Sequence, residues 1–156
     1  MKLYHTSTLT VEKPDMAHSR DYLDFGRGFY LTSMSDQAIR YGDRFRRRGR
    51  EAGLNTYEFE ANLDEWRMLR FDSYDKGWLD FVAECRAGND NSDYDIVIGG
   101  IANDKVIQTL DRYFIGEISQ EDALGLLKFE KPNIQYCIRS ERMLNDCLTF
   151  IDSKKL

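Results

Sequence analysis

Proline occurs only twice in the 156 residues, histidine twice and cysteine three times. Two prolines leave no room for a proline-rich linker. Cys85, Cys137 and Cys147 are odd in number and widely spaced, and no CxxC pair exists. With so few histidines this excludes the usual zinc frameworks and a disulfide scaffold. Each cysteine falls on an apolar position of its segment, which reads as a buried free thiol and suits a reducing compartment. The beginning of the chain lacks a basic region followed by an apolar run, the mark of a secretory signal. No run of about 18 apolar residues offers a membrane span, so a cytoplasmic protein is expected. There is no GxxxxGK[ST] phosphate loop, GxSxG elbow or HExxH pair. "FGRGFY" is glycine-rich but too short for a dinucleotide fingerprint.

What is present describes one ordinary globular domain spanning residues 1–156. Apolar residues make up 42% of the chain and charged ones 31%, enough for a core without a second unit. The formal charge of -5 argues against a general nucleic-acid coat but leaves a local basic site open. Nine tyrosines, nine phenylalanines and two tryptophans are available to fill a core or to stack on flat ligands.

Periodicity predicts a strand from Lys2 to His5, then a loop or frayed helix over Pro14–Leu23. "DFGRGFYLTS", residues 24–33, reads as a glycine turn feeding a strand. Ser35 is expected to cap a helix over Asp36–Phe45, with Ala38, Ile39 and Tyr41 buried. "NTYEFEANL", residues 55–63, alternates like a half-buried strand. Trp78, Phe81, Val82 and Cys85 recur at helical spacing, which predicts a helix over Asp75–Arg86. A buried strand follows from Tyr94 and ends in glycines. Asn103 caps a helix to Phe114, with Val106, Leu110 and Tyr113 on one side, and Ser119 heads a short helix to Leu127. "IQYCIRS", residues 134–140, alternates as a strand, and Glu141–Leu148 is helical by pattern. The order lacks the regular alternation of a parallel sheet, so the fold class is α+β.

Three stretches carry candidate chemistry. "LYHTS" places His5 at the end of the first strand. By itself His5 reads either as a satisfied core side chain or as a group facing a ligand. "RFRRRGR", residues 44–50, sets Arg44, Arg46, Arg47 and Arg48 in an otherwise acidic chain. They suit a helix C-terminus closed by Gly49, or a patch for nucleic acid or for an acidic partner. Asn103 reads as a helix cap, and "GGIAND" before a helix also makes an anion or ribose site possible.

"DFGRGFYLTSMSDQAIRY", residues 24–41, resembles the FGxGxYF segment of ADP-ribosyltransferases with a His-Tyr-Glu signature. "LYHTS" is similar to their first motif and "IQYCIRS" to their third, in the same order and over nearly the whole domain. More closely, "DFGRGFYLT", "WLDFV" and "YDIVIGGIANDKV" resemble a bacterial family of unknown function whose members look like toxins encoded beside a small antitoxin.

The resemblance implies two packed β-sheets flanked by helices, an NAD cleft between them, and no metal. It implies that Tyr30 and Tyr41 sandwich the nicotinamide, where stacking and cation–π attraction hold a flat cation. It sets His5 on the adenosine ribose, Thr6 where the family clamps the carboxamide through a glycine backbone, and Ser7 at the family's hydroxyl position. Gly28, Gln37 and Asn103 are also implied to line the dinucleotide, and Arg20 or Arg27 to meet the pyrophosphate. Gln135 stands where the family has its catalytic glutamate, which stabilises the oxocarbenium ion formed as nicotinamide leaves. Glutamine keeps the shape and loses the charge, and Asp104, beside Lys105, is a candidate for the missing carboxylate.

The function implied is mono-ADP-ribosyl transfer from NAD to a protein or nucleic-acid acceptor, as the toxin of a toxin–antitoxin pair. A pseudoenzyme that binds NAD or ADP-ribose without turnover, and an NAD glycohydrolase, are the alternatives.

Overall fold

In the computed structural model, which describes residues 1–156, the chain builds seven strands and five α-helices. The strands are β1 (Lys2–Ser7), β2 (Phe29–Thr32), β3 (Gly53–Phe59), β4 (Met68–Arg70), β5 (Ile96–Gly100), β6 (Ile134–Ile138) and β7 (Leu148–Lys155). The helices are α1 (Ser35–Arg46), α2 (Lys76–Ala87), α3 (Asp104–Phe114), α4 (Gln120–Leu127) and α5 (Glu141–Cys147), with a 3-10 turn at Leu63–Glu65. The α+β class follows.

All seven strands join one sheet in the order β4-β5-β6-β2-β1-β3-β7, parallel only between β4 and β5. The expected pair of packed sheets is therefore corrected to a single sheet. A seam remains, because β1 and β2 share one register pair, Tyr4 with Thr32, and then part company. β1 goes on along β3 to Ser7, and β2 lies along β6 through Phe29.

Residues directly opposite one another in a sheet share a face. On one face Leu3, Phe29, Leu31, Ile96, Ile98 and Ile138 form a core with Met143, Leu144 and Cys147 of α5. On the other face Val97 and Cys137 meet Phe25, Trp78, Val82, Val106, Leu110 and Leu127, under α2, α3 and α4. Trp78 is fully buried and donates its indole N–H to the Gly100 carbonyl, 3.1 Å, which locks α2 to the end of β5.

Helix starts follow their capping chemistry. Asp75, Asn103, Ser119 and Ser140 each accept a backbone N–H in the first turn that follows. α1 departs from the expectation: it begins at Ser35 itself, and Met34 in the cap position offers no side-chain bond. Its buried side is Ala38 and Gly42, while Ile39 and Tyr41 are exposed. A Cβ on Gly42 would stand 2.9 Å from Leu156 and 3.5 Å from Thr6, so the small residues are what let α1 lie close on the sheet.

Other boundaries shift by smaller amounts. β1 runs two residues past His5, and β3 starts at Gly53 and ends at Phe59, leaving Ala61 and Leu63 outside it. β5 begins at Ile96 rather than Tyr94, and Leu148 opens β7 instead of closing α5. Tyr113 is half-buried beside the core rather than part of it. All three cysteines are free and buried.

Candidate functional site

Register across the sheet sets one polar row. Asp152, Thr56, Tyr4, Thr32 and Gln135 are consecutive partners across β7, β3, β1, β2 and β6, and so share a face. The row ends at Gly99 of β5, where Phe25 and Phe71 fill the space a side chain would take, at 3.1–3.2 Å. α1 packs on this face over β1, β2 and β3. The Thr32 hydroxyl donates to the Gln37 side-chain oxygen from α1, 3.3 Å, and accepts from the Met34 N–H. Thr32 and Gln37 are thus in contact under α1, with Tyr4 and Gln135 on the strands either side of Thr32 on the same face. Tyr4 and Thr32 were missed by sequence reading. Strand parity alone could have paired Tyr4 with the Gln135 face only if the strand order had been known.

His5 sits at the seam on the opposite face. Its Nδ1 lies 2.8 Å from the Tyr30 carbonyl, and its ring is 4.3 Å from that of Phe29. A carbonyl only accepts, so Nδ1 carries the proton and Nε2 of the neutral ring is left as an acceptor. Burial lowers the His5 pKa, partly offset by that hydrogen bond, and keeps the ring neutral. The side-chain amide of the buried Asn55 donates to the carbonyls of His5 and Leu9 and accepts from Val11, which pins the loop after β1 over this face.

Tyr30 shares the face of Thr32, but its hydroxyl turns into the glycine turn. It accepts from the Phe25 N–H, 3.0 Å, and donates to the Gly26 carbonyl. Burial, with the Cys137 thiol beside it, pushes the phenol far above its usual range. The Tyr30 hydroxyl is thus taken up within the turn, and its ring packs beside the core under α2, α3 and α4. Gly28 has a packing reason to be glycine: a Cβ there would stand 2.4 Å from the Cys137 sulfur and 2.9 Å from the Ile138 carbonyl oxygen.

The remaining candidates scatter. Thr6 is buried, and its hydroxyl donates to the Ala38 carbonyl of α1, 2.5 Å, so its side chain ties helix to strand. The Ser7 hydroxyl accepts from the Leu9 N–H in the following turn. Arg20 is exposed. Arg27 is exposed and donates to Ser19 and to the Met16 carbonyl, beside a concavity of about 590 Å³ that Tyr22, Asp90 and Arg139 also line. That concavity contains none of the row residues.

Asn103 caps α3 through its side-chain oxygen, and Asp104 and Lys105 are exposed in the first turn of that helix. Tyr41 is exposed on α1, one turn beyond Gln37 on the same side, with the Arg44 guanidinium 4.8 Å from its ring centre. No three His, Cys, Asp or Glu side chains lie close enough together to hold a metal ion.

A family described as protein of unknown function (DUF3990) matches residues 1–150. The chain belongs to this DUF3990 family. No curated protein and no solved structure matches it.

Proposed function

We propose that this DUF3990 member is a mono-ADP-ribosyltransferase with an ADP-ribosyltransferase-like fold, which moves ADP-ribose from NAD to a macromolecular acceptor as the toxin of a toxin–antitoxin pair. The observation that carries the reading is the seat of Gln135. It lies in one row with Thr32 and Tyr4, beside a seam at which β1 and β2 separate and His5 reaches across to the Tyr30 carbonyl.

The polar set fits an uncharged sugar with hydroxyls better than a metal or a free anion. Thr32, Gln37 and Gln135 are neutral and can both donate and accept, while His5 Nε2, on the other face at the seam, can only accept. In the proposed reaction the bond between nicotinamide and ribose breaks, and its electron pair goes to the nicotinamide nitrogen. The acceptor's lone pair forms the new bond to the same ribose carbon, and its proton passes to solvent. Gln135 orients the ribose through its amide. His5, held neutral and in one tautomer at the seam, accepts from a hydroxyl of the other, adenosine ribose. Tyr30 offers a ring whose position the glycine turn fixes.

A binding protein without turnover is favoured by one feature: the row holds no carboxylate near Gln135, and Asp104 is exposed at the start of α3. The two readings separate in one experiment. The purified protein is incubated with NAD labelled in its adenylate half and with cell lysate, and label in macromolecules is followed beside free nicotinamide. An active wild type whose Gln135→Ala variant loses about 10²-fold in rate supports transfer. Activity that appears only in Gln135→Glu supports the binding protein, and nicotinamide release without labelled macromolecules supports hydrolysis. A wild type that neither binds nor cleaves NAD refutes the whole reading.

A further inference from the structure

The arginine run does not stand alone in the fold. Pairing of β7 with β3 sets Lys154 opposite Leu54 and Lys155 opposite Gly53, and Leu156 packs on Gly42 in the middle of α1. Two lysines more than one hundred residues away in sequence thus join Arg40, Arg44, Arg46, Arg47, Arg48 and Arg50 at one corner, all exposed. Eight of the 22 lysines and arginines of an acidic chain are gathered there.

Few acids answer them. Arg46 pairs with Asp43, and Lys155 with Glu51 at 2.7 Å. Asp36 lies in the first turn of α1, and Asp152 is half-buried on β7 opposite Thr56. Arg40, Arg44, Arg47, Arg48, Arg50 and Lys154 make no ion pair.

The corner also carries an aromatic surface. Tyr41 is 42% exposed, Arg44 lies over its ring, and Phe45 meets it edge-on at 5.8 Å. Gln37, Tyr41 and Arg44 follow one another at i, i+4 and i+7 and so form a single stripe along α1. The stripe starts at Thr32 in the polar row and ends among the unpaired arginines, about 10 Å further on.

We infer that this corner binds single-stranded nucleic acid and that the bound strand is the acceptor of ADP-ribose. The second half of the inference rests on the transferase reading; the binding does not. Unpaired arginines suit phosphates, and an exposed aromatic ring beneath a guanidinium suits a splayed base, which a duplex does not offer. An acidic protein would match the charge but has no use for the stacking surface. The stripe leads the strand from the arginines to the row in which the sugar is bound.

The test uses the full chain and a fluorescein-labelled 20-nucleotide RNA, the same sequence as single-stranded DNA, the RNA in a duplex, and poly-glutamate as competitor. Without NAD, the single strands are expected to bind more tightly than the duplex, and log K to fall with log salt. Replacing Arg44, Arg47 and Arg48 together by serine weakens binding at least about tenfold and flattens the slope by about 2. Tyr41→Ala weakens binding about fivefold or more with the slope unchanged. Thermal melts establish that both variants fold. With labelled NAD added, label is expected on the strand, and comparison of RNA with DNA names the sugar preferred.

Absence of binding, preference for the duplex, or competition by poly-glutamate at equal charge overturns the inference. Label that goes to protein while the strand stays bare overturns the acceptor and leaves the transferase standing. Tight strand binding by a protein that cleaves no NAD overturns the transferase and leaves the nucleic-acid surface.

Discussion

Replacing Gly28 by alanine tests whether the glycine turn is glycine for packing or for a ligand. A Cβ at Gly28 would stand 2.4 Å from the Cys137 sulfur, 2.9 Å from the Ile138 carbonyl oxygen and 3.3 Å from the Arg139 side chain. Ordinary carbon contacts lie at about 3.5–4.0 Å. The sulfur can swing only inside a fully buried site, and the Ile138 oxygen is backbone of a strand in register with Phe29. The strain therefore falls on the β2–β6 pairing.

Overpacking of this kind costs about 1–3 kcal/mol, and the backbone contact puts Gly28→Ala in the upper half of that range. Urea unfolding, followed through the fluorescence of the fully buried Trp78, is expected to shift its midpoint down by about 1 M. Cys137→Ala removes the shortest contact and leaves the Ile138 oxygen. The double variant should recover about 1 kcal/mol relative to the sum of the singles. Both measurements are made without NAD. A Gly28→Ala protein within about 0.5 kcal/mol of wild type, or additive single effects, would refute the packing argument and return the glycine to a ligand role.

Two further outcomes follow from the same region. Tyr30→Phe leaves the Phe25 N–H and the Gly26 carbonyl without a partner, so it should lose about 1–3 kcal/mol in urea unfolding. Under the proposed NAD reading its affinity for NAD in calorimetry should stay, because the hydroxyl is bonded within the turn. His5 has a pKa lowered by burial, so the unfolded chain binds its proton first; its contribution to stability is whole above the ordinary value of 6.5 and is lost as pH falls below it. Stability measured between pH 7.5 and 5 should therefore decline in wild type and decline less in His5→Gln, whereas parallel curves would show that His5 titrates as it does in the unfolded chain.

Local chemistry was enough to determine several parts of this protein. The caps at Asn103 and Ser119, the apolar spacing of Trp78, Phe81, Val82 and Cys85, and the alternation of "IQYCI" all act over a few residues, and they mark α3, α4, α2 and β6 in the sequence. β4 and β7 were not legible. Met68–Arg70 is only three residues long, and "LTFIDSKK" in β7 is an edge strand whose closing lysines face water and whose ladder carries a bulge beside Tyr57. Such strands exist because a neighbour offers hydrogen bonds, not because their own pattern demands it.

The same distinction applies to the candidate site. The residue types of His5, Tyr30 and Gln135 could be picked from motifs. Only strand register put Tyr4, Thr32 and Gln135 in one row and turned His5 to the other face at the seam. Nor does any local property of "RFRRRGR" bring Lys154 and Lys155 beside it. That neighbourhood was decided by the pairing of β3 with β7 and by two small residues, Ala38 and Gly42, that let α1 settle against the sheet.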